Sequence, residues 1–314
     1  MKYRLKYNFV PTTLVLVSCF LASTTYGSVV VGDTPLATNQ HVTVGLPTSS
    51  NSTSITISRK QYVVSWDYES RTPQWAAWLL NKRQLGDVTR TNTFRLDRDL
   101  EEALINENRE SVSPTDYRGS CLDRGHQVPS GDRTATTLDN EATFYMSNML
   151  PQAAFLNRRS WVSLERFLRR QVLNNNKHVQ IYTGIVPQRN FGTIGPGHDI
   201  SVPLKNFKIA VIMPATRERP RLDQMQYFTV NFPNVTSRNT DPVIDHEQAC
   251  YDSDHTTHLD DSNQVAYWRA FLSTRASVEA ESGIDFSFLE GAHALTPAEV
   301  DALVIEDGEH SVTK

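Results

Sequence analysis

Basic charge is not in excess in this sequence: 31 Lys and Arg stand against 35 Asp and Glu, a formal net charge of −4. A chain so balanced has no general electrostatic footprint for a polyanion, and any such binding must come from local clusters. No apolar run reaches the ~20 residues that a membrane-spanning helix needs. There is no G-x-S-x-G elbow and no Walker loop, which removes the usual support for a serine hydrolase or an NTPase. Internal repeats and an evident interdomain linker are also missing, and cysteine is limited to three residues.

What is present begins with an export signature. Lys2, Arg4 and Lys6 precede the apolar run "TTLVLVSCFLA" and then small and polar residues, the pattern of a cleavable signal peptide over residues 1–27. Cleavage after "TYG" starts the mature chain at Ser28. The competing site inside "LVSC" would make Cys19 a lipidated residue, but its apolar core is short and interrupted by Pro11. The first reading predicts a secreted or periplasmic protein, more acidic still once the leader is gone. It leaves Cys121 and Cys250, which in an oxidising compartment either pair or remain free thiols. Sequons at Asn51 and Asn234 matter only where the source glycosylates.

Along the mature chain, residues 28–40 form a variable N-terminal segment, and residues 28–58 suggest short strands joined by a loop. "QYVVSWDY" and "QWAAWLL", separated by "ESRTP", predict a hairpin. The run "RDLEEALINENRE" reads as weak helix or exposed loop. Strands are expected at "HVQIYTGIV", "FKIAVIMP" and "QYFTVNFP", and helices over 157–174 and across "VAYWRAFLSTRASVEAES". Strands and helices alternate without a repeated βα unit, which predicts an α+β domain rather than a doubly wound sheet.

Three stretches stand out chemically: "DRGHQVPSGDRT", "FYMSNMLPQ" and "NRRSWVSLE". In the last, at about 100° per residue, Asn157, Trp161, Leu164 and Leu168 share one helical stripe while Arg159, Arg166 and Arg170 lie opposite. Glu165 sits at roughly 80° from Asn157 and about 12 Å further along an ideal helix. Both could hardly ligate one ion directly; one can ligate while the other reaches a bound water, as Mg²⁺ tends to be held. Alone, Asn157 is equally an N-cap and Glu165 a solvated edge.

Together, in that order and spacing, these stretches resemble the DNA/RNA non-specific endonuclease family of ββα-metal, or His-Me finger, nucleases. The resemblance covers about residues 41–290, including "TRTNTFRLD", and leaves 291–314 as a tail. It implies a mixed or antiparallel central sheet with flanking helices and a ββα-metal motif. It further implies that His126 is the general base and that Asn157 binds one divalent cation, Mg²⁺ or Mn²⁺, directly. Glu165 and Asp123 would grip the cation's waters, Arg90 would face the phosphate with Arg124 assisting, and Asn148 and Gln152 would support the site. DNA and RNA would both be cut, leaving 5′-phosphate ends.

The assignment is physically coherent. Phosphodiester hydrolysis needs an activated water, offset of the charge added at phosphorus, and help for a departing alkoxide. Phosphate contacts position a nucleic acid without reading its sequence, and Arg158, Arg159, Arg166, Arg169 and Arg170 could supply them or form a solvated helix face. The acidic, His-rich stretch 245–261 departs from the family pattern. Asp245, His246, Asp252, Asp254, His255 and His258 are metal-ligand types, and a Cys121–Cys250 bond would staple this insert beside the catalytic loop. Two other readings compete: a non-catalytic nucleic-acid-binding relative, and a metal-binding surface protein built on the insert. Whether an inhibitor protein guards the producing cell is not legible.

Overall fold

The computed structural model describes residues 29–187, 192–216, 220–237, 245–257 and 267–306. The leader expected over residues 1–27, and His258 of the insert, lie outside them.

Strands β1 (Val29–Val31), β2 (Ser54–Ser58), β3 (Val63–Asp67) and β4 (Thr72–Leu80) come first, followed by helix α1 (Arg98–Ile105). A short strand β5 (Asp123–His126), helix α2 (Thr137–Ala142) and strand β6 (Met149–Gln152) lead into helix α3 (Val162–Leu173). Strands β7 (Lys177–Val186), β8 (Lys205–Pro214) and β9 (Gln226–Pro233) follow. Helix α4 (His246–His255), strand β10 (Leu272–Ser273), helix α5 (Arg275–Ser282), strand β11 (His293–Ala294) and helix α6 (Pro297–Glu306) complete the described chain.

Nine strands make one mixed, mainly antiparallel sheet in the order β1-β2-β3-β4-β7-β8-β9-β10, with β11 also on β9. The expected hairpin is β3–β4, antiparallel with Val63 opposite Ala77 and a register shift at Ser65/Trp66. Period-2 alternation divides β4 between two cores. Ala76, Trp78 and Leu80 enter one, and Trp75 and Ala77 the other. The first is roofed by Trp161, Leu164, Phe167, Leu168 and Val172 from the α3 region, the second by Val278, Phe286 and Leu289. Each such large side chain, fully buried, contributes about 1.5–3 kcal/mol, so the α3 stripe fixes that helix on the sheet.

The weak helical run proves half helical: α1 ends at Ile105, and the chain turns before Arg109. The long helix expected across "VAYWRAFLSTRASVEAES" does not form as one piece. Tyr267–Phe271 is a 3-10 turn, Leu272 and Ser273 pair with Val230 and Thr229 on β9, and α5 begins only after Thr274. Thr274 accepts from Ser277 N–H at 3.1 Å as an N-cap. A hydroxyl that satisfies the first free N–H of a helix starts a new one there, and the open edge of β9 takes the residues before it. The sequon at Asn234 is unusable once folded: the side chain is fully buried, accepts from Ala153 N, and donates to the carbonyls of Pro151 and Pro203.

Candidate active site

Strands β5 and β6 pair antiparallel, with Asp123 opposite Gln152 and His126 opposite Met149, and α3 follows at once; together they form a ββα unit. The helix enters through a π-helical turn, Leu156–Trp161, before the α-helical Val162–Leu173. That wider turn changes the phase between Asn157 and Glu165 from the ideal-helix value, a device often found at functional sites.

Alternation along β5 puts Arg124 and His126 on one side, against Phe94. The Arg124 guanidinium stands 3.8 Å over the Phe94 ring, and the His126 ring meets Phe94 and Phe144 edge-on at 5.7 and 4.9 Å. Gly125 lies between them because nothing larger fits. A Cβ there would come within 2.3 Å of Gln152 Oε1 and 2.6 Å of Gln152 Cβ.

His126 is 6% exposed and hydrogen-bonded to the Arg124 backbone carbonyl. Its Nε2 has no protein partner among the described residues, so Nδ1 is the nitrogen that carries the proton and donates. Burial, then Arg90 and Arg124, holds its pKa well below the ordinary histidine value, and the ring is neutral near pH 7 with Nε2 unprotonated. Asn148 sets the loop that follows: it is fully buried, accepts from Val128 N–H, and donates to the carbonyls of Val128 and Thr143.

Asp123, on the other side of β5, accepts from Asn157 Nδ2 at 2.8 Å and from Arg158 Nε and Nη2 at 2.9 and 2.7 Å. A carboxylate has no donor, so Asn157 must face it with its amino group, leaving Oδ1 as the amide's acceptor. Glu165 is 8% exposed on the cleft floor; burial raises its pKa, and Lys208, then Arg169, pull it back.

One cleft of ≈ 990 Å³ is lined by His126, Asp123, Arg90, Arg124, Asn157, Glu165, Arg158 and Arg169, with Arg118 on its wall. Its charged lining is five arginines against two carboxylates, a local positive field on a chain of net charge −4. Arg90 donates through Nε to Asn92 and through Nη1 to Ser130, and Nη2 has no protein partner among the described residues. Arg124 makes no side-chain hydrogen bond or ion pair among them. The basic track expected along the helix is only partly realised: Arg158 and Arg169 line the cleft, whereas Arg159, Arg166 and Arg170 do not. Arg158 is committed to Asp123 and to the carbonyls of Ser253 and Thr256, and Arg169 pairs with Asp132 at 2.8 Å.

Two participants escape sequence reading. Asp132 holds Arg169 through Oδ1 and accepts from Trp78 Nε1 at 2.8 Å. Lys208, on β8, is fully buried with Nζ 3.8 Å from Glu165 Oε1 and 3.5 Å over the Trp161 ring. The available signal was a lysine inside the otherwise apolar "FKIAVIMP".

Cys121 and Cys250 are disulfide-bonded, joining α4 to the chain two residues before Asp123. Within the insert, Asp245 caps α4, and Asp252 accepts from Ser237 N–H, Ser237 Oγ and Gln248. Among the described residues the only cluster with metal-ligand spacing is Cys121, His246 and Cys250, and its two sulfurs are bonded to each other.

Comparison with known proteins adds relatives to this geometry. Residues 37–288 match the family model described as DNA/RNA non-specific endonuclease. The chain is 34% identical over 253 residues to a protein named Nuclease from Nostoc sp., covering 78% of this chain and 80% of that one. It is 28% identical over 169 residues to human mitochondrial endonuclease G, covering 50% of this chain and 54% of the relative. Among solved structures, a complex of endonuclease G with its inhibitor aligns at TM-score 0.59 and 24% identity over 83% of this chain, a likeness of fold.

Proposed function

The chain belongs to the DNA/RNA non-specific endonuclease family, and from that premise we propose an exported, divalent-metal-dependent enzyme that hydrolyses DNA and RNA with little sequence preference. The observation that carries the mechanism is the His126 imidazole, with one nitrogen held by a backbone carbonyl and the other buried without a partner in an arginine-lined cleft.

Nε2 of His126 takes the proton of the attacking water; its low basicity keeps the ring neutral and competent near pH 7. Arg90 and Arg124 offset the charge that develops on the phosphate, since each has donors not taken by protein partners. Asn157 Oδ1 and the Glu165 carboxylate are hard oxygen donors, the chemistry that suits Mg²⁺ or Mn²⁺. Asn157 would hold the cation directly and Glu165 through water. They fit one cation better than two, because the cleft's other carboxylate, Asp123, is engaged by Asn157 and Arg158. When bound, the cation supplies positive charge against the phosphate and the departing oxygen. Contacts confined to phosphate leave the bases unread, which accounts for tolerance of sequence and sugar. The leader at residues 1–27 supports export, and no helix among the described residues is long and apolar enough to cross a membrane.

The test is incubation of the mature protein with plasmid and with RNA, in Mg²⁺ and in chelator. Both substrates are cut in Mg²⁺ and neither in chelator. His126→Ala lowers the rate by about 10²–10⁴-fold while oligonucleotide binding persists. A variant as fast as the parent contradicts the mechanism, and no cleavage under any divalent ion contradicts the function.

A further inference from the structure

Arg158 makes four hydrogen bonds, all to acceptors of the protein itself. Nε and Nη2 form a two-pronged contact with Asp123, at 2.9 Å to Oδ2 and 2.7 Å to Oδ1. Nη1 donates to two backbone carbonyls, Ser253 and Thr256, both at 2.8 Å. Those carbonyls belong to the last turn and C-cap of α4, where helix acceptors have no intrahelical donor and a cation is favoured. Asp123 Oδ2 also accepts from Asn157 Nδ2. A continuous path therefore runs from the end of the insert helix through Arg158 and Asp123 to the Asn157 amide.

We propose that Arg158 is a positioning residue for Asn157, and that helix α4 of the insert braces it in that role. The inference rests on the reading of Asn157 as the cation's ligand. A side-chain amide can rotate by half a turn and present either end; only its oxygen binds a cation. Asp123 settles the choice by accepting from the amino end, and it can do so only while its own plane is fixed. The arginine fork fixes that plane with two parallel bonds. The fork is itself held from behind by the two α4 carbonyls, and α4 is fastened a second time by the Cys121–Cys250 bond. Helix α4 thus serves the site through Arg158 and Asp123.

The rival role for Arg158, a direct phosphate contact, makes opposite predictions. The mature protein, its Arg158→Gln variant and its Arg158→Lys variant are stripped of metal, and Mn²⁺ binding is measured without nucleic acid. Oligonucleotide binding is measured separately in chelator. Loss of a group that orients a metal ligand lowers metal affinity by about 10–100-fold, and both variants show that loss with oligonucleotide affinity unchanged. Lysine does not rescue, because one ammonium cannot make the fork and reach two carbonyls; it also keeps the charge and the stem should the glutamine variant fail to fold. In turnover, kcat falls at saturating nucleic acid and low metal, and excess Mn²⁺ restores part of it. Unchanged Mn²⁺ affinity with weakened oligonucleotide binding overturns the proposal in favour of a phosphate contact. Unchanged values for both overturn it outright. A parent that neither binds Mn²⁺ nor cuts nucleic acid overturns the nuclease reading itself; a parent that does both, beside indifferent variants, overturns only the role of Arg158.

Discussion

Lys208 carries an ammonium into the core, 3.5 Å over the Trp161 ring and 5.3 Å over that of Trp78, with Glu165 Oε1 3.8 Å away. Burial lowers its pKa to about 8 and raises that of Glu165; each is the other's largest compensation. Removing one partner of such a pair strands the other, at a cost of about 3–5 kcal/mol, whereas removing both is often nearly neutral. Lys208→Met should therefore lower the unfolding free energy substantially, and Lys208→Met with Glu165→Gln should recover most of the loss. Denaturant titrations of the two singles and the double decide it: strictly additive losses would mean that the pair is not coupled. His126, Asn157 and Glu165 were legible from the quoted motifs. Lys208 was not, because a partner as distant in the chain as Glu165 leaves no local pattern around "FKIAVIMP".

At the scale of elements, the ββα unit is a narrow hairpin laid against one helix, and its tolerance is set where backbones come closest. Gly125 has no space for a side chain against Gln152, whose buried side-chain amide has no hydrogen-bond partner among the described residues. Gly125→Ala must push β5 from β6 or expel Gln152, moving Arg124 and His126, which flank it, and Asp123 one residue further on. The expected outcome is a large loss of kcat with a depressed Tm; a variant with parental turnover would show that β5 can shift without harm. The helix after β6 was legible as an apolar stripe, since Trp161, Leu164 and Leu168 are buried as the 3.6-residue period requires. Its π-helical entry was not, because no composition signal marks one extra residue in a turn. The second long helix failed for the complementary reason: helical propensity over "VAYWRAFLSTRASVEAES" lost to sheet pairing at Leu272–Ser273 and to the Thr274 cap.

For the whole molecule, acid stability follows from groups kept neutral inside it. His41 is fully buried; its Nδ1 accepts from Leu79 N–H at 3.0 Å and its Nε2 donates to the Lys60 carbonyl at 2.8 Å. Burial, then the charge of Arg133, lowers its pKa to about 3. Between that value and the ordinary 6.5, the unfolded chain binds a proton the folded chain refuses, so stability is full above about pH 6.5 and declines as pH falls toward 3. Burial of His126 acts in the same direction. Denaturant midpoints measured from pH 7.5 to 4.5 should fall steadily, and His41→Gln should flatten the slope; a midpoint that rises toward acid contradicts the account. The Cys121–Cys250 bond closes a separation of 129 residues and ties the insert to the catalytic loop, a constraint worth about 2–5 kcal/mol in small domains.

The sequence by itself determined the α+β class, the order of the main strands, the chemical types at the site and their grouping into three separated stretches, because periodicity and residue chemistry are local properties. Tertiary structure decided which of those residues meet. Asp123, expected from the resemblance to grip the cation's waters, meets the Asn157 amide and the Arg158 fork, and Arg158, expected as a phosphate contact, also meets the end of helix α4. Arg169 takes a partner, Asp132, 37 positions away in the chain. Of the acids of the insert, Asp245 caps a helix and Asp252 holds Ser237. Each depends on which distant donors and acceptors meet when the sheet closes, and a hydrogen bond between residues 35 or 95 positions apart leaves no trace in local spacing.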